Sequence, residues 1–225
     1  MKYFQRFPSI TYALDDNNLD FKQVKNIFAR VHFVKEALNN ADLYYPYAMK
    51  ESDTTEVIAH KLYDDPNRYW ILMLGNDVVD PYYGVPLKSQ SFDNYVIDKY
   101  GSISAAQSNL HHYEKRVTVS TNKNGIIDSQ TYKTEITEQY YSDANSAIET
   151  ISTLPTLNNP VIADTQTVTI DDYDNIPITI TTTTEYVFVT QYDYEIDVNE
   201  NKRSFNLLKT DYIVDVENQF STLMK

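Results

Sequence analysis

Apolar residues recur at helical spacing in three consecutive stretches of the first half of the chain. Asp53 and Glu56 have the spacing of a capping box before the first stretch. Gly101 follows the third as a helix stop. The pattern predicts three short helices, whose apolar faces are Ile58, Ala59, Leu62 and Tyr63, then Trp70, Met73 and Leu74, then Phe92, Val96 and Tyr100.

The stretch around the only Trp of the chain carries local signals that agree with one another. Asp65 followed by Pro66 predicts an N-cap and a first helical residue, because the first N–H groups of a helix have no internal acceptor. Gly75 and Asn76 predict a left-handed stop at the end of that helix. Consistent local signals are typical of a fold nucleus, which we assign to Asp65, Pro66, Trp70, Gly75 and Asn76.

From residue 104 onward the pattern changes to runs rich in Thr, Val and Tyr, which are typical of strands. Asn124-Gly125 separates the first two runs and is a strong hairpin signal. Ile176-Pro177 indicates a strand start or an edge strand, since Pro donates no ladder hydrogen bond. We predict two hairpins that form a small antiparallel sheet, with strands near 116–121, 130–141, 165–170 and 178–194, and a helix over 142–154.

Other segments have patterns that are less regular. Residues 24–38 fit a helix, but the alternation of apolar residues from Ile27 to Phe33 also fits a strand, so both interpretations are open. Residues 192–197 and 203–208 predict a final hairpin. Thr210 predicts the N-cap of a last helix, whose apolar side consists of Tyr212, Ile213, Val216, Phe220 and Leu223.

The N-terminal segment is rich in aromatic residues, with Tyr3, Phe4 and Phe7 close together. An exposed aromatic segment is unfavourable unless it docks. It therefore packs either on its own domain or on a partner, and the sequence leaves both open.

The order strand, capped helix, Asp-Pro link, second helix and Asn-Asp resembles a LysM module, a small βααβ unit. A LysM module continues into a strand that ends in an apolar-Pro pair, whereas here Asp80-Pro81-Tyr82-Tyr83-Gly84 intervenes. The residues that carry the resemblance are Tyr44–Met49, Asp53-Thr54, Ile58-Ala59, Tyr63–Pro66 and Asn76-Asp77.

With that departure included, YDDPNRYWILMLGND followed by DPYYG resembles the LysM-like baseplate wedge protein of contractile-tailed bacteriophages. The resemblance covers about residues 24–114 and 192–225. Further matching residues are Ile27-Phe28, Arg30, Tyr44-Tyr45, 95–101, 111–114 and 199–208.

The resemblance implies an α+β fold with a LysM-like βααβ core, flanking helices and a β-rich insertion. We predict four parts: residues 1–42 as an N-terminal arm and helix, 43–103 as the core with its following helix, 104–191 as the β-rich insertion, and 192–225 as a C-terminal hairpin and helix.

The resemblance also implies a non-enzymatic structural component of a tail baseplate, assembled in the host cytoplasm. Its expected partners are other wedge subunits, including core-bundle proteins and the sheath initiator, which it clamps into a six-fold ring. Interfaces and cores share an apolar composition, so each residue that we predict at a partner interface also fits an internal core. These residues are Phe4, Phe7, Tyr82, Tyr83, Phe220 and Leu223.

Two alternative functions follow from the LysM resemblance. A glycan-binding module would bind N-acetylglucosamine polymers through loops that correspond to residues 51–54 and 76–81. A cell-wall hydrolase would need a catalytic module, which residues 104–225 do not display as a recognisable motif.

Composition narrows these choices. The net charge is −13, with −3 in residues 1–103 and −10 in residues 104–225, which argues against binding nucleic acid or anionic lipid. There is no Cys for a disulfide or a thiolate metal site. The N-terminus has no apolar region of a secretory signal, and no apolar run is long enough to span a bilayer. Twenty Tyr residues fit either protein interfaces or half-exposed strands.

Motifs for catalysis or cofactor binding are absent from the sequence. Four Gly residues form no phosphate-binding loop. His32 and His60 are isolated, and His111 and His112 would face opposite sides of a strand and not share one metal ion. Asp77 and Asp80 flank a turn, where hydrogen bonding to the backbone is the expected role. We therefore expect no cofactor and no metal.

Overall fold

The structure is a computed structural model that describes residues 3–13, 21–136, 154–171 and 176–224. Short 3₁₀ turns occur at Tyr3–Arg6, Ala41–Leu43, Pro66–Arg68 and Thr210–Tyr212. Helices and antiparallel strands together confirm the predicted α+β class. The helices are α1 Lys35–Leu38, α2 Thr55–Tyr63, α3 Tyr69–Gly75, α4 Ser89–Tyr100, α5 Ile103–Ser108, α6 Gln191–Asn201 and α7 Ile213–Leu223; the strands are β1 Ser9–Ala13, β2 Phe21–Lys25, β3 Tyr44–Ala48, β4 Leu110–Lys123, β5 Ile126–Ile136, β6 Val161–Asp171, β7 Pro177–Thr190 and β8 Ser204–Leu208.

Contacts within the chain define two units. The first unit combines residues 1–91 with residues 198–225, and the second unit is the intervening segment, residues 92–197. The second unit is therefore an insertion in sequence, and we call it the inserted unit. The division into four parts that the sequence predicts stays a prediction.

The helix pair α2–α3 begins with a different cap from the one predicted. The Thr54 hydroxyl accepts a hydrogen bond from the Val57 N–H at 3.3 Å and is the N-cap of α2. Asp53 is instead buried, where it accepts bonds from the Tyr47 hydroxyl at 2.6 Å and the Lys50 N–H at 3.0 Å. The bond from Tyr47, followed by that from Lys50, lowers the pKa of Asp53. The predicted Asp53 capping box is thus wrong by one residue.

The link between the two helices confirms the predicted Asp-Pro start. Asp64 ends α2 in a left-handed conformation with φ 55°. Asp65 then accepts the Asn67 N–H at 2.9 Å, and Pro66 is the first residue of the 3₁₀ turn that leads into α3. The inward face of α2 is also as predicted, since Ile58 and Tyr63 are buried.

The end of α3 differs from the prediction. Gly75 is the last helical residue and Asn76 has φ −114°, so neither adopts the left-handed conformation; Asp77 does, with φ 52°. A Cβ at Gly75 would lie 3.4 Å from the Tyr44 ring and 3.7 Å from the Phe33 ring, which is ordinary van der Waals contact, so packing does not require glycine at this position.

Asn76 has a structural role that the sequence pattern did not reveal. Its Nδ2 donates to the carbonyls of Leu72 at 2.8 Å and Asn206 at 2.9 Å, and its Oδ1 accepts the Asn206 N–H at 2.7 Å. Asn206 pairs with Pro46 across the β3–β8 ladder. In an antiparallel ladder, the backbone groups of alternate residues point away from the partner strand. Asn206 is such a residue, so its N–H and carbonyl bond to the Asn76 amide and not to β3.

The β3 partner comes from the far end of the chain. β3 pairs antiparallel with β8, from Tyr44 opposite Leu208 to Ala48 opposite Ser204. The predicted final hairpin of 192–197 with 203–208 is therefore wrong, because α6 covers the first of those segments. Within the described residues 76–88 there is no strand after α3.

The core of the first unit is aromatic around Trp70. The Tyr3 ring lies 4.9 Å from Phe7, 5.5 Å from Trp70 and 5.3 Å from Phe220, and the Trp70 and Phe220 rings are 4.8 Å apart. Phe7, Trp70 and Phe220 are 2–3% exposed. The N-terminal segment thus packs on its own unit.

Residues 24–38 do not form the long helix that their spacing fits. β2 pairs with β1, with Val24 opposite Ile10, and the only helix there is α1. Ala29, Val31 and Phe33 point alternately inward to the core. Strand pairing and alternate burial outweigh the helical spacing, which is weak evidence over a short segment.

The apolar side predicted for the last helix is confirmed in part. Ile213 and Phe220 are buried, whereas Leu223 is 71% exposed. The predicted Thr210 cap is wrong, because the N-cap of α7 is Tyr212, and Thr210 is instead the first residue of the 3₁₀ turn before the helix. Arg68 holds α7 in place through two bonds to Glu217, at 2.9 and 3.3 Å.

The inserted unit contains the two predicted hairpins. Its antiparallel sheet has the strand order β5-β4-β7-β6. Asn124 and Gly125 join β4 to β5 with φ 53° and 81°, the positive values that a type I′ turn requires. Pro177 begins β7, an inner strand. The predicted helix over 142–154 lies almost wholly outside the described residues.

One strand of this sheet ends earlier than predicted. β7 stops at Thr190, whose hydroxyl accepts the Asp193 N–H at 3.0 Å and so caps α6. Residues 191–194 are therefore helical. Buried Glu195 holds α6 to α4 by accepting bonds from Lys99 at 2.6 Å and the Tyr100 hydroxyl at 2.7 Å.

Candidate protein-binding groove

An apolar groove of about 350 Å³ opens on the first unit beside Trp70. The N-terminal aromatic segment forms one wall, and the extended segment of residues 27–32 forms another. α3 and the loop after it, up to Pro81, complete the groove. We call this feature the Trp70 groove.

Large apolar side chains around the Trp70 groove are exposed to an unusual degree. Aromatic side chains bury roughly 150–250 Å² each when covered, so the set exposes on the order of 600 Å². Contiguous apolar patches of more than a few hundred Å² mark binding surfaces, and Phe4, Ile27 and Val79 of this set line one groove. The side chains, which line the groove or adjoin its lining in sequence, are Phe4 at 53%, Ile27 at 64%, Phe28 at 84%, Val79 at 70%, Tyr82 at 78% and Tyr83 at 55%.

A tight turn fixes the two Tyr residues of this set. The Asp80 carboxylate accepts the N–H groups of Tyr82 at 2.8 Å and Tyr83 at 3.2 Å, which confirms the expected backbone role of Asp80. Gly84 closes the turn by donating to the Asp80 carbonyl at 2.9 Å. A Cβ on Gly84 would lie 2.5 Å from that carbonyl oxygen, so the turn requires glycine.

The structure separates the six predicted interface residues. Phe4 lines the Trp70 groove, and Tyr82 and Tyr83 follow Pro81 at its edge. Phe7 and Phe220 are core residues, as their buried rings against Trp70 show, and are not at the surface. Leu223 is exposed but does not line the groove.

Sequence reasoning missed the most exposed members of the groove. The sequence left both a helix and a strand open for the segment that contains Ile27 and Phe28, and the alternation that places Ala29, Val31 and Phe33 inward would also place Ile27 inward, although Ile27 is 64% exposed. That alternation leaves Phe28 outward. Val79 had no signal of its own, because its exposure depends on the turn that begins at Asp77.

The buried polar groups of the first unit support packing. The Tyr63 hydroxyl donates to the Leu208 carbonyl at 2.9 Å, and burial raises the pKa of Tyr63. The Tyr44 hydroxyl is buried without a hydrogen-bond partner. Both groups lie at the β3–β8 pair and not in the Trp70 groove, whose mostly apolar lining also includes Arg30, His32 and Asp77.

A second groove, of about 450 Å³, lies within the inserted unit. Its charged groups are engaged with one another or with neighbours: Arg116 donates to Glu114 at 2.8 Å, Lys133 binds Asp197, and Asp193 accepts the Thr190 hydroxyl. Paired groups of this kind stabilise the unit and do not form a recognisable catalytic arrangement.

The His pair is closer together than predicted. A register shift between Leu110 and His112 brings the Nδ1 atoms of His111 and His112 to 2.8 Å, so the prediction of opposite faces is wrong. The His112 Nε2 lies 3.3 Å from Glu114, and the His111 ring stacks on Tyr194 at 3.8 Å. Across the described ranges, no group of three or more His, Cys, Asp or Glu residues has metal-binding geometry.

No helix in the described part of the chain has the length and apolar character to cross a bilayer.

Comparison with known proteins identifies the family. The model of the base plate wedge protein 53 family matches residues 2–136, more than half of the chain. The baseplate wedge protein gp53 of Enterobacteria phage T4 is 34% identical over 65 residues, which are 29% of this chain and 33% of that relative. The match thus spans about a third of the relative's length. The comparisons confirm the predicted baseplate wedge resemblance and leave its LysM-like detail as a prediction; the chain belongs to the phage base plate wedge protein 53 family.

Proposed function

We propose that this protein is a non-enzymatic structural component of a phage tail baseplate that clamps wedge subunits and neighbouring wedges together. The proposal combines the family membership with the exposed apolar side chains of the Trp70 groove. It places the protein in the virion tail baseplate, after assembly in the host cytoplasm. The partners are other wedge subunits, including core-bundle proteins and the sheath initiator, in a six-fold ring.

The groove suits this role physically. A clamp needs a rigid support, and the core cluster supplies one, since Trp70 lines the groove and packs in the same cluster as Phe220 and residues of the β3–β8 pair. Permanent assemblies bury large and apolar surfaces. Phe28 and Tyr82, at 84% and 78% exposed, expose aromatic surface that a permanent partner covers. We therefore assign an apolar segment of a neighbouring wedge subunit to the groove.

Complementation of a phage that lacks this gene tests the proposal. The test variant combines Ile27→Ser and Val79→Ser, which line the groove and are 64% and 70% exposed, and the control combines Val34→Ser and Val214→Ser, which are 66% and 60% exposed elsewhere. A few well-packed residues at the centre of an interface carry most of the binding energy. We expect the groove variant to yield at least about tenfold fewer infectious particles than the control, since a loss of about 1.4 kcal/mol is tenfold in binding.

Purification of the particles and urea unfolding of the free chains complete this test. Both variants should unfold as the unaltered chain does, since only exposed side chains change. The groove variant should be depleted from purified baseplates. Equal incorporation and equal infectivity of the two variants would contradict a binding role for the groove.

The glycan-binding alternative has less support. In the two loops that the LysM resemblance points to, Asp53 is bonded to Tyr47 and Lys50, and Asn76 is bonded to Asn206. Side chains with internal partners must break those bonds before they can bind a sugar. A pull-down on purified peptidoglycan with the free chain distinguishes the two, because saturable binding favours the module and its absence favours the clamp.

A further inference from the structure

The two faces of the sheet in the inserted unit differ sharply in chemistry. Directly paired residues share a face, so the strand registers assign every side chain to one side. In the half of the sheet nearest the Asn124-Gly125 turn, one face carries hydroxyl and amide side chains, with Ile127 as the exception. Row by row, these residues are Asn122, Thr179 and Thr169, then Ser129, Ser120, Thr181 and Thr167, then Thr131, Thr118, Thr183 and Thr165. Bonds between Thr118 and Thr131 at 3.0 Å and between Ser120 and Ser129 at 2.8 Å confirm the pairing on this face.

The opposite face of the same strands holds most of their apolar residues. We call it the apolar face, because its apolar members are Ile126, Ile178 and Ile170, then Ile180 and Val168, then Val119, then Tyr132 and Val117. The other positions in the same rows are polar or charged: Lys123, Asp128, Thr121, Gln130, Thr182, Gln166, Thr184 and Asp164. Side chains on the two outer strands are 47–75% exposed, as Ile170 and Ile126 show. Those on the inner strands, such as Val117, are half-buried.

The size of the apolar face excludes a stable dimer through this surface alone. Four strands about 4.8 Å apart and seven residues at about 3.3 Å each cover roughly 400 Å². A standard stable interface buries about 800 Å² on each partner. The face therefore matches one element of a partner, a strand or a helix, within a larger set of contacts.

Charge decides which kind of partner fits. Residues 92–197 contain 16 acidic and 5 basic side chains, a net charge of −11 out of the −13 of the whole chain. Two copies of this unit repel each other, and a basic partner is attracted. On the apolar face itself, Asp128 and Asp164 on the two outer strands outnumber Lys123 on β4, so the face also carries a net negative charge.

We propose that the apolar face of the inserted unit binds an apolar element of a basic baseplate protein, and not a second copy of this chain. This inference rests on the proposed function and adds to it a second contact, separate in sequence from the Trp70 groove, together with the chemical character of its partner.

Photo-crosslinking in assembled baseplates tests this inference. The test chain carries Ile170→p-benzoylphenylalanine on the apolar face, and the matched control carries Ile162→p-benzoylphenylalanine, on the same strand and paired with Glu185 on the opposite face. Both positions are exposed, at 47% and 65%. After irradiation of purified particles, mass spectrometry identifies the cross-linked peptide. We expect at least fivefold more cross-linking at residue 170, to a segment of another baseplate protein whose net charge is positive.

Substitutions give a second measurement in the same particles. Ile126→Thr with Ile170→Thr removes apolar surface from the apolar face, and Ile127→Thr with Ile162→Thr makes the same chemical change on the other face. Thr keeps a β-branched side chain in each strand. We expect the first pair to lower the yield of infectious particles at least fivefold relative to the second pair.

The outcomes separate the two proposals. Cross-links from residue 170 to a second copy of this chain or to an acidic segment, or equal cross-linking at both positions, would overturn the inference while leaving the baseplate role intact. If neither chain is present in purified baseplates, although the unaltered chain folds, the proposed function itself fails.

Discussion

Replacement of Asn76 tests whether one side-chain amide joins the two distant segments of the first unit. In Asn76→Ala, the Asn206 N–H and carbonyl and the Leu72 carbonyl lose bonds of 2.7, 2.9 and 2.8 Å. Each hydrogen bond contributes about 0.5–1.5 kcal/mol net. Asn206 is exposed, so water replaces part of the loss, and we expect the free energy of unfolding to fall by about 2 kcal/mol.

Urea unfolding followed by Trp70 fluorescence is the assay, since this single Trp is 3% exposed in the core of the same unit. Asn206→Ala is the matched control, because the Asn76 amide binds the backbone of Asn206 and not its side chain. The control should lose less than about 0.5 kcal/mol, as surface substitutions do.

Asn76→Asp tests whether the neighbouring carbonyl groups disfavour a negative charge at this position. A carboxylate keeps the bond from the Asn206 N–H but faces the Leu72 and Asn206 carbonyls, to which the Asn76 amide donates. Those carbonyls should raise the pKa of an Asp in the folded state, so the variant should regain stability as the pH falls. If Asn76→Ala and Asn206→Ala unfolded at the same urea concentration, the Asn76 amide would not be what joins the two segments.

Further predictions concern buried or strained groups. Tyr44→Phe removes a buried hydroxyl without a partner and should leave the free energy of unfolding unchanged or raise it by up to about 1 kcal/mol, measured in urea. Burial opposes the charged form of Glu195, but bonds from Lys99 and Tyr100 outweigh it and lower its pKa, so its contribution should be lost as the pH falls below about 4.5, its ordinary value, and circular dichroism should show this loss. Glu195→Gln should remove that pH dependence and cost about 3 kcal/mol, since it breaks a buried pair. Gly84→Ala should destabilise the turn by about 1–3 kcal/mol, and hydrogen exchange at Tyr82 should rise.

Local signals determined the elements whose stability is local. Asn124-Gly125 predicts its hairpin because few residues tolerate two consecutive positive φ angles. Phe92 and Val96 predict α4, and Gly101, with φ 86°, ends it. Asp65-Pro66 predicts a helical start for a similar local reason.

Segments with competing patterns were decided by tertiary contacts. Residues 24–38 have helical spacing and strand alternation together, but only Val24 and Lys25 of this range belong to a paired strand and only Lys35–Leu38 to a helix. Between them, Ala29, Val31 and Phe33 pack on the core without a strand partner. Residues 192–197 resemble a strand in composition, but the Thr190 cap and the burial of Glu195 against Lys99 select a helix. Propensity is too weak to decide such cases, because packing energies are larger.

The candidate site shows the same division. The sequence and its family resemblance predicted six residues at a partner interface, each of which also fitted an internal core, since interfaces and cores share an apolar composition. They are Phe4, Phe7, Tyr82, Tyr83, Phe220 and Leu223. Only the fold assigned Phe7 and Phe220 to the core and Phe28 to the surface. Which apolar residues remain exposed depends on where the chain returns, and the sequence contains no local signal for that.

The family and the helix pair could be determined from the sequence, because short-range order in residues 53–84 specifies both. The pairing of β3 with β8, which lie about 160 residues apart along the chain, was decided by tertiary structure alone. Neither strand is stable by itself, since a two-stranded ladder needs a packed face. That face belongs to the core cluster that contains Trp70 and Phe220. Because the cluster combines residues from distant parts of the chain, no local pattern in either strand indicates its partner.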